Sequence, residues 1–265
     1  MAPLGGLPAR PALTPDFLPL PQRSSKPRTQ GLTHVIDEGI SPAEADGLLE
    51  VAAPYLDLVR LGFGTAYVTP ALEAKLAVYE RHGVPVMVGG TLTELAWLHG
   101  RVDALADWLE SLGLAHVEVS SGAVPLPVAE RVALIERLAS RFTVYAEVGE
   151  KDPDAIMAPY RWVELIRAAL DAGAALVVCE GRASGDAGMY RRDGEARTGL
   201  IDEIAHEIDR ARLVFEAPRR HQQTWLIRQF GSEVNLGNVH AHDVLALETL
   251  RLGLRADTLD HFHHW

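Results

Sequence analysis

The sequence predicts a single-domain α/β protein, a (β/α)8 TIM barrel, on three observations. Eight short runs rich in Val, Ile and Leu alternate with amphipathic stretches from Leu32 to Gly253. The chain has 265 residues, 48% of them hydrophobic, which suffices for one substantial core. Five of the runs end on a carboxylate: Asp37, Glu118, Glu147, Glu180 and Glu216. Buried strands do not ordinarily finish this way, because an uncompensated buried carboxylate costs several kcal/mol. In a closed parallel sheet all the strand C-termini meet on one face, so the five would share a polar centre. A doubly wound open sheet is the rival architecture.

Residues 1–25 hold many prolines and few periodic apolar positions, and read as a mobile Pro-rich arm; docking on a partner subunit is the alternative. The barrel domain is expected over residues 26–260, followed by a His-rich tail, 261–265. Leu32–Asp37 is the first expected strand, and Pro42–Ala53, opened by Ser-Pro, the first helix. Leu56–Leu61 and Pro70–His82 follow, the helix stopping at Gly83. Pro85–Gly89 is a third strand, with Val102–Leu112 the next helix, ended by Gly113. His116–Ser120 pairs in the pattern with Pro127–Ala139, and Thr143–Val148 with Trp162–Ala172, which stops at Gly173. Ala175–Glu180 precedes Leu200–Asp209, Arg212–Ala217 precedes Gln222–Phe230, and Val234–Asn238 precedes His242–Gly253. Trp97, Trp108, Trp162 and Trp225 fall on or between these helices as core or interface anchors.

The net charge of −11 argues against nucleic acid, although a local Arg/Lys cluster can still receive an anionic substrate. The one cysteine, Cys179 in the apolar run LVVCEG, reads as a packed thiol in a reducing, cytoplasmic setting. A membrane span and an export signal are not expected.

Glu147, Glu180 and Glu216 come from successive strands, and crowded carboxylates repel unless a cation or protons reduce their charge. Mg²⁺ is the expected cofactor there, with Glu118 or Asp37 as further ligand candidates. The competing reading pairs one or two of the carboxylates with Arg60 or Arg182 as structural salt bridges. Lys151, in the loop after the fifth strand, is a candidate proton donor or point charge for an anion, weighed against an ordinary surface lysine. Arg182, between Gly181 and Gly185, is placed to grip phosphate or carboxylate in a bidentate fork. Asn235-Leu-Gly237-Asn238 at the end of the expected eighth strand, and Gly89-Gly90-Thr91, are candidate anion cradles, and Ser120 adds a hydroxyl at the fourth strand end. The terminal HFHH cluster is read as a tail rather than a metal site.

From Gly31 to Leu259 these blocks resemble the phosphosulfolactate synthase family. The resemblance rests on Gly62-Phe-Gly-Thr, Gly89-Gly-Thr-Leu, Glu118-Val-Ser, Glu147-Val-Gly, Glu180-Gly-Arg-Ala-Ser-Gly, Phe215-Glu-Ala-Pro, Val234-Asn-Leu-Gly-Asn and Leu247-Glu-Thr-Leu-Arg-Leu-Gly-Leu-Arg-Ala-Asp-Thr. It implies a (β/α)8 lyase that adds sulfite to phosphoenolpyruvate with Mg²⁺, giving (2R)-phospho-3-sulfolactate on the way to coenzyme M or sulfolactate, and it is compatible with a homo-oligomer. It implies Lys151 as the acid, Arg182 and the Asn235–Asn238 turn as phosphate ligands, and Arg60 facing an anion. The sequence departs from the family pattern at charged positions: Glu38, Arg60 and Glu150 stand where lysines are expected, and Ser121 where an Asp is expected. The two Lys-to-Glu differences would weaken anion capture unless those side chains point away from the pocket. A related barrel enzyme for another phosphorylated acid, and a non-catalytic relative like the plant heat-stress members, are the competing functions.

Overall fold

In the computed structural model, residues 15–152 and 154–263 are described. The N-terminal segment before Pro15 and the last two residues of the tail, on which part of the arm and tail expectations fall, lie outside them. Eight parallel strands close into a barrel in sequence order: β1 Thr33–Asp37, β2 Leu58–Leu61, β3 Val86–Val88, β4 His116–Val119, β5 Thr143–Val148, β6 Leu176–Cys179, β7 Leu213–Glu216 and β8 Leu236–His240. The helices outside are α1 Pro42–Ala52, α2 Thr65–Val68, α3 Leu72–Arg81, α4 Gly90–Leu98, α5 Val102–Ser111, α6 Val128–Ala139, α7 Pro159–Asp171, α8 Thr198–Glu207, α9 Arg220–Phe230, α10 Val244–Arg251 and α11 Ala256–Phe262. α2, α4 and α11 are additions to the elements expected from periodicity, the first two inserted just after strands.

Alternation along each strand sends one set of side chains into the helix layer and the other into the lumen. Val35, Val59, Val88, Val119, Val148, Cys179 and Phe215 join the helix-facing core. Leu58, Met87, Tyr145, Val178 and Val214 fill the lumen as a separate apolar plug. Above that plug, at the C-terminal mouth, the lumen turns polar.

Asp37 shares the parity of Val35, so it leaves the polar centre that the sequence expects it to join. It points into the helix layer, where Lys75 of α3 approaches its Oδ2 at 2.6 Å and Tyr79 donates to it at 2.8 Å. Its Oδ1 accepts the Gly39 and Ile40 N–H groups of the turn after β1. Ser41 caps α1 by accepting the Glu44 N–H, with Pro42 at the first helical position.

The opposite end is closed by the long C-terminal block. Arg251, fully buried, donates to the carbonyls of Ser232 and Val234 at 2.6 and 2.7 Å and to Leu32 at 3.1 Å. Glu248 receives Arg23, which also binds Glu233, so the folded body reaches back beyond Lys26. Asn235 belongs to this end as well. β8 begins at Leu236, one residue after it, and its side chain accepts from Leu32 N at 2.9 Å and donates to Leu213 O at 2.9 Å. Its expected part in binding substrate is therefore corrected: it ties three strands together at the face away from the mouth.

Truncating one partner of a buried ion pair strands the other charge. Lys75→Met is accordingly expected to destabilise the fold by about 3–5 kcal/mol, read from urea denaturation, with no direct contact to the mouth being lost.

Candidate active site

The mouth of the barrel is organised around Arg60. This side chain rises from β2 into the lumen, and the residue is 6% exposed. Its Nη1 lies 2.6 Å from Glu118 Oε1 and 3.5 Å from Glu147 Oε2, and its Nη2 lies 3.3 Å from Glu216 Oε1 and donates to Asn238 Oδ1. Burial alone would depress the guanidinium, but Glu118, Glu216 and Glu147 together hold its pKa above the ordinary arginine value. His34, lower in the lumen, is sealed with neither ring nitrogen bonded; burial and then Arg60 push its pKa well below the ordinary value, so the ring is neutral.

The four carboxylates expected as metal ligands all reach this centre, but they do not form an open set. Glu118 Oε2 accepts the Gly90 N–H at 2.7 Å, and Glu216 Oε2 accepts the Gly181 N–H at 2.8 Å, which together with Arg60 occupies both acids. Among the described residues no group of three or more His, Cys, Asp or Glu is arranged to hold a metal ion. Part of the competing salt-bridge reading is what the structure contains, with Arg60 as the cation.

Glu147 and Glu180 make a pair apart. Glu147 Oε1 is ion-paired with Lys151 Nζ at 2.9 Å, and Glu180 Oε2 is buried with no hydrogen-bond partner among the described residues. Burial raises both carboxyls. Lys151 and Arg60 pull Glu147 below the usual value, whereas Glu147 and Glu216 drive Glu180 further up. Glu118 is likewise raised by burial, and Glu216 is pushed up to about 7 by burial and its acidic neighbours against the opposing pull of Arg60.

Lys151 stands partly exposed in the loop after β5. Burial would lower it, but Glu147, Glu180 and Glu94 raise it, so the ammonium is charged at neutral pH. Glu94 is a residue at the mouth that the sequence reading missed. It is fully buried on α4, accepts the Ala123 and Val124 N–H groups at 2.9 and 2.7 Å and the Ser120 hydroxyl, and lies 3.8 Å from Lys151 Nζ. The spacing Thr91-x-x-Glu94 resembles a helix-capping box; an acid flanked by Leu92 and Leu95 was the only hint that it faces inward.

The other expected residues divide. Ser120 is buried against Glu94, and Gly90 packs so closely on Ser120 that a Cβ would collide with it. The Gly89 and Gly90 amides are both occupied, by Leu61 O at 3.1 Å and by Glu118, so the expected cradle keeps no free donor at those two positions, and Thr91 sits half-buried in the first turn of α4. Gly237 lines the lumen, where a Cβ would press on Val214 and His34. Arg182 is exposed beside the mouth, its N–H donating to Glu180 Oε1 at 2.7 Å. Arg182, Asn238 and Phe63 hold left-handed backbone (φ 59°, 53° and 51°), strain of the kind that collects where a site dictates the chain path. His240, two residues beyond Asn238, ends β8 at the mouth. It was missed because the expected strand stopped at Asn238. Of the departing positions, Glu38 and Glu150 are both exposed.

Residues 21–257 match the family described as (2R)-phospho-3-sulfolactate synthase (ComA). A phosphosulfolactate synthase from Methanothermobacter thermautotrophicus is 39% identical over 250 residues, covering 92% of this chain and 96% of the relative. One from Bacillus subtilis is 37% identical, covering 92% and 98%. Among solved structures, a 3-hexulose-6-phosphate synthase superposes with a TM-score of 0.53 at 17% identity, covering 82% of this chain and 98% of that one. A phosphonopyruvate hydrolase complex with oxalate and Mg²⁺ gives 0.55 at 13%, covering 81% and 77%. These structural likenesses show the barrel fold alone.

A carboxyl whose folded-state pKa is raised stabilises the protein fully below its unfolded pKa and loses that contribution as pH climbs through the folded one. For Glu216 the window runs from the model-peptide range near 4.5 to about 7. The stability of the ligand-free protein is expected to fall across it, and Glu216→Gln should flatten the fall when denaturation midpoints are measured from about pH 4.5 to about 7.5.

Proposed function

From the premise that the chain belongs to the (2R)-phospho-3-sulfolactate synthase family, a carbon–sulfur lyase family, we propose that it adds sulfite to C3 of phosphoenolpyruvate with Mg²⁺ as cofactor. The observation that carries this reading is the placement of a charged Lys151 ammonium at the edge of a mouth whose interior charges are held in place by one another.

Glu147 and Glu180 fit the cation. They are adjacent carboxyls, one with a buried oxygen that nothing donates to, and Mg²⁺ is commonly bound by one or two carboxylates with the remaining positions left to substrate and water. When bound, the ion supplies positive charge against the substrate carboxylate, where negative charge grows as sulfite attacks. Arg60 keeps Glu118 and Glu216 engaged, so that they neither repel the incoming anions at full charge nor compete for the cation. Glu94 fixes the turn after β4 and adds to the charge that keeps Lys151 protonated.

In the addition, the sulfur lone pair forms the C–S bond at C3 and the C2=C3 π pair moves toward the carboxylate. A proton from Lys151 Nζ then closes C2, which leaves the phosphate ester intact and the lysine to be reprotonated from solvent. Arg182, exposed at the rim, supports a phosphate at the β6 loop, and His240 at the tip of β8 lies where a barrel of this kind receives it.

The setting that this reading implies is cytoplasmic: Cys179 is buried and unpaired, and among the described residues no helix is long and apolar enough to cross a membrane. It also implies self-association, in keeping with exposed Phe63, Tyr67 and Val68 beside the β2 end.

Phosphorus NMR of phosphoenolpyruvate with and without sulfite, and with Mg²⁺ or a chelator, tests the reaction. Sulfite- and metal-dependent appearance of a phosphosulfolactate resonance is expected, with Lys151→Ala lowering kcat by about 10²-fold or more. Full turnover by that variant would remove the proton from Lys151.

A further inference from the structure

Lys151 is one of three lysines in the chain, and the other two are committed to the scaffold. Lys75 is sealed against Asp37, and Lys26 donates to Ala53 O and Leu56 O at 3.0 and 2.6 Å. Lys151 stands on a loop at the mouth, and its long flexible stem has to be held if the ammonium is to meet one carbon of a substrate. Among the described residues two carboxylates lie within ion-pairing distance of Nζ: Glu147 Oε1 at 2.9 Å and Glu94 Oε1 at 3.8 Å.

The two acids differ in what else they do. Glu147 also faces Arg60 and is one of the pair that fits the cation, so its hold on the lysine competes with that duty. Glu94 has no such rival. Its side chain is 0% exposed, its Oε2 accepts the Ala123 and Val124 N–H groups, and its Oε1 accepts the Ser120 hydroxyl. These bonds fix the carboxylate and leave Oε1 as the atom nearer the ammonium. The same turn also holds the stem. Between the residues bound to Glu94 lie Ser121, which accepts from Arg131 Nη1 at 3.0 Å, and Gly122, whose φ is 121°. A Cβ at Gly122 would lie 3.0 Å from Lys151 Cδ and 3.2 Å from Cγ, so bare backbone is packed along the aliphatic stem there. Glu94 thus bears on the lysine twice, through the wall that its hydrogen bonds fix and through the charge it presents to the head group.

We propose that Glu94 is a positioning residue for Lys151, the counter-ion that keeps the ammonium aimed when Glu147 is engaged elsewhere. This rests on the reaction assigned above. The lysine then retains a partner without a change of place, because Glu94 is within ion-pairing distance already. A counter-ion sealed beneath the mouth suits this role, since neither substrate nor solvent reaches it to compete.

The test uses the full chain with Glu94→Gln, Glu147→Gln and Lys151→Ala, alone and in pairs. Glutamine can still accept from the Ala123 and Val124 amides and donate to Ser120, so Glu94→Gln removes the charge and leaves the turn. It is expected to lower kcat about tenfold or more, with the KM values for phosphoenolpyruvate and sulfite within about twofold, and to cost nothing further in the Lys151→Ala background. An equal loss in both backgrounds would mean that the effect does not pass through the lysine, and overturns the assignment. In protein labelled with carbon-13 at lysine Cε, the Lys151 signal is assigned by its loss in Lys151→Ala. Its two ε protons are expected to keep separate shifts, the mark of a fixed side chain, in the parent and in Glu147→Gln, and to merge when Glu94→Gln is added to Glu147→Gln. Merging in Glu147→Gln alone overturns the positioning role. This second readout needs neither turnover nor metal, so a parent that fails to turn over rejects the reaction while the lysine signals still decide the place of Glu94.

Discussion

A guanidinium inside a barrel lumen is the constraint on which the mouth depends. Four glutamates brought to one place by strand geometry would repel strongly, and a low-dielectric surround magnifies that repulsion. Arg60 resolves most of it, reaching three of the four, while the Gly90 and Gly181 amides take the outward oxygens of Glu118 and Glu216. The consequence for chemistry is a division of labour. Two acids are locked to Arg60, and the remaining pair, Glu147 and Glu180, keeps an oxygen with no donor and stands next to Lys151. An arginine suits this role better than the lysine of the family pattern, because its planar fork can serve two carboxylates and an amide oxygen simultaneously.

The architecture was legible because it depends on patterns that survive in a single sequence. Apolar runs of strand length, helical periodicity between them and glycine stops at Gly83, Gly113 and Gly173 are local signals, and each of those glycines takes positive φ. The convergence of strand-end acids was legible for the same reason. What the pattern cannot specify is which face of a strand looks into the lumen, since parallel strands in a barrel are buried on both sides. Thr33–Asp37 is buried throughout, so nothing in its composition separates Asp37, turned to Lys75, from the glutamates turned to Arg60.

The misplacement of Asn235 has a different origin. The register between β1 and β8 shifts, and Asn238 adopts left-handed backbone, so the alternation that should number β8 is broken within it. A strand read two residues early moves an asparagine from one end of the barrel to the other and hides His240 at the mouth. Glu94 escaped for a third reason, since it lies on α4, a helix inserted between β3 and the expected outer helix, where an acidic residue would ordinarily be read as solvent-facing. Loop insertions at strand ends are where barrels differentiate their chemistry, and they carry the least periodicity.

The charge differences expected to weaken anion capture lose much of their force once the side chains are placed. Glu38 and Glu150 are exposed, where water screens them, while the cations that matter are buried or half-buried: Arg60, Arg131 and Lys151. Position 121 works in the opposite direction to the two glutamates. An acid there would neutralise Arg131; the serine leaves a buried positive charge whose protein partner is only a hydroxyl. A desolvated cation attracts an oxyanion far more strongly than a surface lysine does, because its charge is poorly screened and its donors have few competing acceptors. The mouth can therefore be acidic by count and still carry two cations, Arg131 and Lys151, against neighbouring residues of one turn, Ser121 and Gly122.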